Sequence, residues 1–194
     1  MSRNTFITTR FNCRLDCQRC EHIKANGVRC RNRVCFGTPL CWIHTRMTYG
    51  VQARDSTIPG AGKGLFATRE FQQDDWIVPY VGEVVTDPCL NQRYGDDTAP
   101  YASEYSRRRF IDSACRRGTG ARANGLFRAD GRSRSINQHN AVILNRPGGN
   151  GGLWLRARRN IPMGSEIFVW YGDEYRVENN HETRRSTIAD TRPC

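Results

Sequence analysis

Pro59-Gly60-Ala61-Gly62-Lys63-Gly64-Leu65-Phe66-Ala67, followed by Trp76-Ile77-Val78-Pro79-Tyr80-Val81-Gly82-Glu83-Val84-Val85, is the stretch on which the chain turns. Glycine has no Cβ, so closely spaced glycines let the backbone bend sharply and approach a ligand closely. The second run is rich in β-branched and aromatic residues and is expected to form a strand. The glycines do not make a phosphate loop, because Gly62-Lys63-Gly64 lacks the G-x-x-x-x-G-K-[ST] spacing. They do not open a helix inside a strand–helix–strand unit either, which excludes the dinucleotide reading. On its own the turn is ordinary loop punctuation, and its meaning depends on residues further along the chain.

Outward from that turn, 194 residues suggest one medium domain with a small appendage. Mean hydropathy is −0.69, and no apolar run approaches the roughly 18 residues a membrane span needs. Met1-Ser2-Arg3-Asn4-Thr5 is not followed by a secretory h-region, so an intracellular protein is expected. The net charge of +11 suits work near polyanions. Residues 1–50 hold nine Lys/Arg against two Asp/Glu, and the other 144 hold 21 against 17. On that division the basic face is mostly N-terminal. Only Lys24 and Lys63 are lysines; the other 28 basic residues are arginine.

Nine cysteines without a secretory signal argue for metal binding or free thiols rather than a disulfide framework. Cys13, Cys17, Cys20, Cys30, Cys35 and Cys41 crowd together with His22 and His44, ending in the C-x-x-H of Cys41-Trp42-Ile43-His44. Zinc takes four such ligands in a tetrahedron. A basic segment with so few aliphatics needs a staple of this kind to fold. The favoured ligand set is Cys20, Cys30, Cys41 and His44, with Cys35 competing for a place. Cys13 and Cys17 are left for a second site or as free thiols. The span from Cys20 to His44 resembles small treble-cysteine zinc modules that are found attached to other domains. Such basic modules often touch nucleic acid, although no recognition helix is evident here.

From Val51 onward short β-type runs alternate with Gly/Asp/Asn-rich turns, the pattern of a mainly β domain. Strands are expected at Leu65-Phe66-Ala67, Trp76 to Val85, Arg109-Phe110-Ile111, Ala141 to Leu144, Leu153 to Ala157 and Glu166 to Tyr171. Residues 86–108 carry a short helix within a loop. Residues 116–135 form a long, weakly patterned connection of the kind that is usually functional. Residues 147–152 make a turn, and the polar tail after Arg176 is expected to be poorly ordered.

Taken in order, Gly62-Lys63-Gly64-Leu65-Phe66-Ala67, Tyr80-x-Gly82-Glu83, Ile111-Asp112-Ser113, Ala123-Asn124, Asn140-Ala141 and Glu166-Ile167-Phe168-Val169-Trp170-Tyr171-Gly172 resemble the motifs of SET domains, over about residues 51–176. Twelve residues separate Asp112 from Asn124, matching the family's step from its I-D-A motif to the Asn of N-H-S. A rival placement at Asn137 breaks that step and crowds Asn140. The resemblance implies a mainly β SET-domain fold of short curled sheets with pseudoknot-like C-terminal threading, plus the N-terminal zinc-stapled module. The implied organisation is a basic Cys/His module at 1–50, a SET domain at 51–176 and a polar tail at 177–194.

It also implies a protein-lysine N-methyltransferase that uses S-adenosylmethionine, with histone tails as substrate and a nuclear location. Zinc would sit in the N-terminal module, which would make at most nonspecific contact with nucleic acid; no membrane is involved. Tyr171 matches the catalytic tyrosine, and Tyr80 would line the lysine channel. Gly62, Lys63, Gly64, Arg122, Ala123, Asn124 and Gly125 would contact the cofactor, with Asn140 supporting that loop. Two departures stand out. Gly125 and Leu126 replace the family's usual His and Ser, which predicts a looser pocket there. No cysteine cluster follows the last motif, so Tyr175 and the tail are left to close the channel. Val169, where an aromatic is common, predicts room for successive methylations.

Other polar residues read as structural. Glu83 is taken as support rather than as half of an acid–base pair with Asp112. Cys115 is read as a buried thiol, His139 as a loop histidine, and Trp154 and Trp170 as core.

Overall fold

The computed structural model describes residues 17–34, 38–95, 99–129, 131–148 and 152–172. The expectations for Cys13, Cys35, Tyr175 and residues 177–194 fall outside them. Two short strands, β1 (Gln18–Arg19) and β2 (Arg33–Val34), pair antiparallel in the N-terminal module. Helix α1 (Trp42–Tyr49) follows Cys41 and stops at Gly50, whose N–H bonds to the carbonyl of Arg46. The rest is built from small sheets, as a chain of short alternating runs and turns requires.

Strands β3 (Val51–Asp55) and β4 (Lys63–Ala67) pair antiparallel across the glycine-rich loop. β5 (Trp76–Pro79) and β6 (Glu83–Thr86) come next. Helix α2 (Asp87–Tyr94) has Pro88 in its first turn, where a missing N–H costs nothing, and it ends at Gly95. β7 (Ala102–Ser106) and β8 (Arg109–Asp112) form a hairpin. After the turn Gly120–Arg122 and a second short turn, Ile136–Gln138, come β9 (Ala141–Arg146), β10 (Gly152–Ala157), β11 (Glu166–Ile167) and β12 (Val169–Trp170). The sheet orders are β12-β9-β10-β5, β11-β4-β3 and β6-β8-β7.

The run Trp76 to Val85 is therefore two strands rather than one. β5 pairs with β10, and β6 pairs with β8 in another sheet. Tyr80-Val81-Gly82 makes the crossing, and Ser113 Oγ holds it by donating to the Val81 carbonyl at 2.7 Å. One β-rich stretch thus serves two sheets, and no periodicity within the stretch marks the break.

The last described segment lies between two earlier ones. Val169 N–H donates to the Asn124 carbonyl at 2.9 Å, while Asn140 and Ala141 N–H both donate to the Phe168 carbonyl, at 3.1 and 3.0 Å. β12 then joins β9 in parallel. This is the threaded arrangement expected of the C-terminal segment. The core beneath is Leu65, Phe71, Ile77, Leu155, Ile161 and Ile167, all fully buried. Burial of each such side chain stabilises the fold by about 1.5–3 kcal/mol. Tyr49 of α1 packs against this core and meets Trp154 edge-on at 6.0 Å, which ties the helix of the N-terminal module to the β domain.

Candidate functional site

Glu166 organises the glycine turn. Its carboxylate is buried and accepts from Ser56 Oγ (2.7 Å), Thr57 N–H (2.7 Å), Thr57 Oγ1 (2.5 Å) and Asn124 Nδ2 (3.2 Å). The Asn124 amide also donates to the Lys63 carbonyl at 3.2 Å. One carboxylate therefore joins the loop before β4, the Asn124 segment and the C-terminal strand. Gly64 is buried directly against Glu166, and a Cβ there would overlap the carboxylate. Gly62 is exposed with φ +70, and no heavy atom lies within 4 Å of where its Cβ would stand. The Lys63 ammonium reaches out to Asp55 at 2.6 Å, on the surface.

Tyr171 closes the other side of this cluster. Its hydroxyl donates to the carbonyl of Ala123, the residue before Asn124. Gly125 is buried, and a Cβ there would come to 2.8 Å from both the Phe127 and Tyr171 rings. Those rings lie nearly parallel, 9° apart with centroids at 6.4 Å. The expected looseness at Gly125 is thus not found, because Phe127 occupies the space that a larger residue at 125 would take.

Tyr171 also lines a cleft of about 280 Å³ with Ala102, Ser103, Ile136, Leu144 and Trp170. The cleft runs between β7 and β9, and Asn145 Nδ2 ties these strands by donating to the Tyr105 carbonyl at 2.8 Å. Tyr80 is buried, and its hydroxyl donates at 2.7 Å to the carbonyl of Tyr101, next to the cleft wall at Ala102. Val169 is wholly buried in the core and does not line this cleft.

Gly62, Lys63, Gly64, Ala123, Asn124, Gly125 and Tyr171 are therefore brought together, with Tyr80 approaching from the cleft side. Arg122 adjoins Tyr101 and Arg117, and burial first, then the Arg117 charge, pushes its pKa down. Arg117 itself stacks over the Tyr101 ring at 3.8 Å.

Glu83 and Asp112 do not form an acid–base pair. A single Arg93 Nη1 donates to both, at 2.9 and 2.8 Å, and the Tyr94 hydroxyl donates to Asp112 at 3.0 Å. Asp112 is fully buried. Burial first, then the Asp112 charge, pushes the Tyr94 phenol well above its ordinary pKa, which makes it a fixed donor. The cluster pins α2 onto β6 and β8.

Asn140 holds the threaded segment: its Nδ2 donates to the Glu166 carbonyl at 2.9 Å and its Oδ1 accepts from Phe168 N–H at 2.8 Å. His139 lies in a loop, as expected, but is not exposed there. It is fully buried, and its Nε2 accepts from Leu126 N–H at 3.0 Å. With Nδ1 at 3.1 Å from the Ser135 carbonyl, the tautomer is fixed as Nδ1–H. Sequence reading missed the positioning roles of Glu166, Ser56, Thr57 and His139. Apart from the Ser135 carbonyl four residues before His139, the partners named here lie 13 to 110 residues away, and short-range spacing carries no sign of them.

The N-terminal cluster is the metal candidate. Cys20, Cys30, Cys41 and His44 are buried, with ligand atoms all within 4.8 Å of one another. His44 Nδ1 stands 3.4 Å from Cys20 Sγ and 3.2 Å from Cys41 Sγ. A tetrahedral zinc ion, with Zn–S near 2.3 Å and Zn–N near 2.0 Å, sets ligand atoms about 3.5 Å apart. Burial, then the charges of His22 and Lys24, holds the His44 imidazole below its usual pKa, favouring the neutral form a metal requires. His22 stacks on His44 with centroids at 3.7 Å. The donor set therefore fits zinc. Cys17, Cys89 and Cys115 are disulfide-bonded, which corrects the expectations of a second metal site or free thiol at Cys17 and of a buried thiol at Cys115. Such pairing depends on tertiary proximity that the spacing of cysteines along the chain does not reveal.

Residues 62–172, more than half of the chain, match the family described as the SET domain. The chain is similar to the putative histone-lysine N-methyltransferase PRDM6 of Bos taurus and of Homo sapiens. Each is 26% identical over 124 residues, covering 62% of this chain and 20% of the relative. The chain thus spans about a fifth of the length of the curated relatives it matches. Among solved structures it is similar to ctPRC2 in an autoinhibited conformation bound to S-adenosylmethionine (TM-score 0.51, 18% identity, 66% of this chain and 16% of that one). It is also similar to the Chaetomium thermophilum polycomb repressive complex 2 (TM-score 0.51, 21% identity, 64% and 15%). At these identities the structural likeness is one of fold.

Proposed function

This chain belongs to the SET-domain family, and from that premise we propose that it is an S-adenosylmethionine-dependent protein-lysine N-methyltransferase acting on histone tails, and that it works in the nucleus. One observation carries the reading. Asn124 bonds to the Lys63 carbonyl of the glycine turn, and Tyr171, which lines an apolar cleft, bonds to the carbonyl of the adjoining Ala123, although these residues are far apart in sequence. The names of the curated relatives and the S-adenosylmethionine bound by one structural neighbour support it. Among the described residues no helix is long and apolar enough to cross a membrane.

When bound, S-adenosylmethionine supplies an electrophilic methyl group on a sulfonium. The open face of Gly62, the main chain of Lys63 and Gly64, and the segment Ala123–Gly125 would hold it. The chain's own residues must then deal with the lysine. Its reference pKa is about 10.4, and only the neutral amine attacks. An apolar cleft walled by Trp170, Ile136 and Leu144 disfavours the ammonium and lowers that pKa. Tyr171, held by Ala123, orients the amine, and alignment of the reacting atoms to about 3 Å supplies much of the rate. Tyr80 would line the approach. Cys20, Cys30, Cys41 and His44 would hold a structural zinc, and we propose the division into a module at 1–50, a SET domain at 51–176 and a tail.

The test is to incubate the full chain with labelled S-adenosylmethionine and a panel of histones, and to map the product by mass spectrometry. Methyl groups on lysine are expected. No transfer to any histone, with tight salt-dependent DNA binding and no cofactor affinity, would instead favour the second reading, a catalytically weak or inactive SET-like zinc protein that binds nucleic acid or chromatin.

A further inference from the structure

Dividing the chain at residue 50 hides how its charge is distributed. Residues 116–159 hold ten arginines and one acid, Asp130, a net of +9. Residues 51–115 hold seven basic and ten acidic residues (−3), and residues 160–194 hold four and six (−2). With +7 in residues 1–50, these sum to the +11 of the chain. The β domain is therefore strongly polarised, and its basic stretch includes the segment after Asn124.

The fold gathers five of those arginines. Phe127 and Ser133 pair as a small hairpin carrying Arg128, Arg132 and Arg134, and Arg134 Nε donates to the Phe127 carbonyl at 3.1 Å. Arg158 donates to the Ile136 carbonyl. Arg159 donates to the carbonyls of Asn137 and Gln138, both at 3.1 Å. The anchoring acceptors are neutral, so they fix the side chains without cancelling their charge. Among the described residues no carboxylate pairs with Arg128, Arg134, Arg158 or Arg159. All five are exposed or half-buried.

We infer that the surface formed by Arg128, Arg134, Arg158 and Arg159 binds the phosphate backbone of double-stranded nucleic acid without reading sequence. Guanidinium forks match phosphate oxygens in pairs, and Arg134, Arg158 and Arg159 have more N–H donors than the carbonyls hold. No large hydrophobic residue of 126–139 or 158–160 is among the exposed ones, and Phe127 is turned against Tyr171. The surface thus lacks the stacking platform a single strand would need, and it lacks the aromatic core typical of a protein interface. Ile136, whose carbonyl anchors Arg158, lines the cleft beside Tyr171. A duplex held here lies next to the cleft. On the methyltransferase reading, this would bring in lysine-bearing tails of proteins that are themselves bound to nucleic acid.

The binding test needs no cofactor, so it stands or falls apart from catalysis. Anisotropy of a labelled random-sequence DNA duplex is followed from ~50 to ~200 mM salt with the full chain. The double variant Arg128→Glu/Arg159→Glu is expected to bind ~10-fold or more weakly, and the slope of log K against log salt should drop by about 2, near 0.9 per lost phosphate contact. Arg128→Lys/Arg159→Lys, which keeps the charge, should keep most of the slope. If thermal melting shows that the glutamate variant is unfolded, Arg128→Gln/Arg159→Gln replaces it, with the same direction expected. Unchanged duplex binding in a folded variant overturns the inference. So does equal loss in Arg31→Glu/Arg46→Glu with none in the hairpin pair, which would place binding in the N-terminal module. Polyglutamate binding as tight as the duplex, and equally lost in the hairpin variant, would overturn it in favour of an acidic protein partner.

Discussion

At Gly125 the identity of one residue is explained by its neighbour. Phe127 and Tyr171 both come to 2.8 Å from the place of a Cβ, so the glycine and Phe127 are a matched pair. Gly125→Ala should overpack the site and lower stability by about 1–3 kcal/mol in urea unfolding. Adding Phe127→Leu should recover part of that loss; no recovery would mean that the ring is not the obstacle. His139 makes a second prediction. Burial first, then the positive charges of Arg158 and Arg159, holds its folded pKa below 6.5. The unfolded chain therefore binds more protons below that value. Stability contributed by neutral His139 is complete above pH ~6.5 and falls as the pH drops toward the folded pKa. In His139→Gln the fall between pH ~7 and ~5 should be shallower than in the wild type. An identical fall would assign the pH dependence elsewhere, His44 included. The twelve-residue step points to Asn124, whose amide bonds to the Lys63 carbonyl of the glycine turn, whereas Asn137 lies in a surface turn. The matched pair at 125 and 127 was not legible, because complementarity of volume is a tertiary property.

The elements themselves were largely readable from alternation and turn residues. β4, β8, β9, β10 and α2 fall where the pattern put them, because each has one buried side or clear punctuation at its ends. β3 and α1 carry no such signal: β3 is mostly exposed along its length, and α1 buries only His44 and Thr45. The long segment Trp76 to Val85 reads as one strand but forms two, since pairing partners rather than propensity decide where it divides. The C-terminal strands depend on Glu166 to a degree no local pattern signals. Glu166→Ala would leave Ser56, Thr57 and Asn124 donors without their acceptor. Stability is expected to fall by about 1–3 kcal/mol or more, with cofactor affinity dropping at least ~10-fold as the Gly62–Gly64 turn loosens. A variant that is destabilised yet titrates S-adenosylmethionine normally would separate the carboxylate from the site.

For the whole molecule, two stabilising principles meet at α1. The N-terminal module is held by its Cys/His cluster with a small apolar contribution from Val34 and Leu40, whereas the β domain has a continuous core. Metal analysis should find at least one zinc per chain. Chelation should unfold the module while the β core stays folded, giving two separated transitions by circular dichroism and tryptophan fluorescence. A metal-free chain that melts in one unchanged transition, or a Cys41→Ser variant as stable as the wild type, would remove the structural role of zinc. The polarised charge within the β domain was not legible from the composition, because averaging over 144 residues cancelled it.

The most direct test of the account compares wild type and Tyr171→Phe in one measurement, the single-turnover rate of methyl transfer to a histone lysine at saturating S-adenosylmethionine. If Tyr171 orients the amine at the head of the cleft, the rate should fall by about 10²-fold or more, with cofactor affinity nearly unchanged. Equal rates in the two proteins, or no transfer by the wild type, would contradict it.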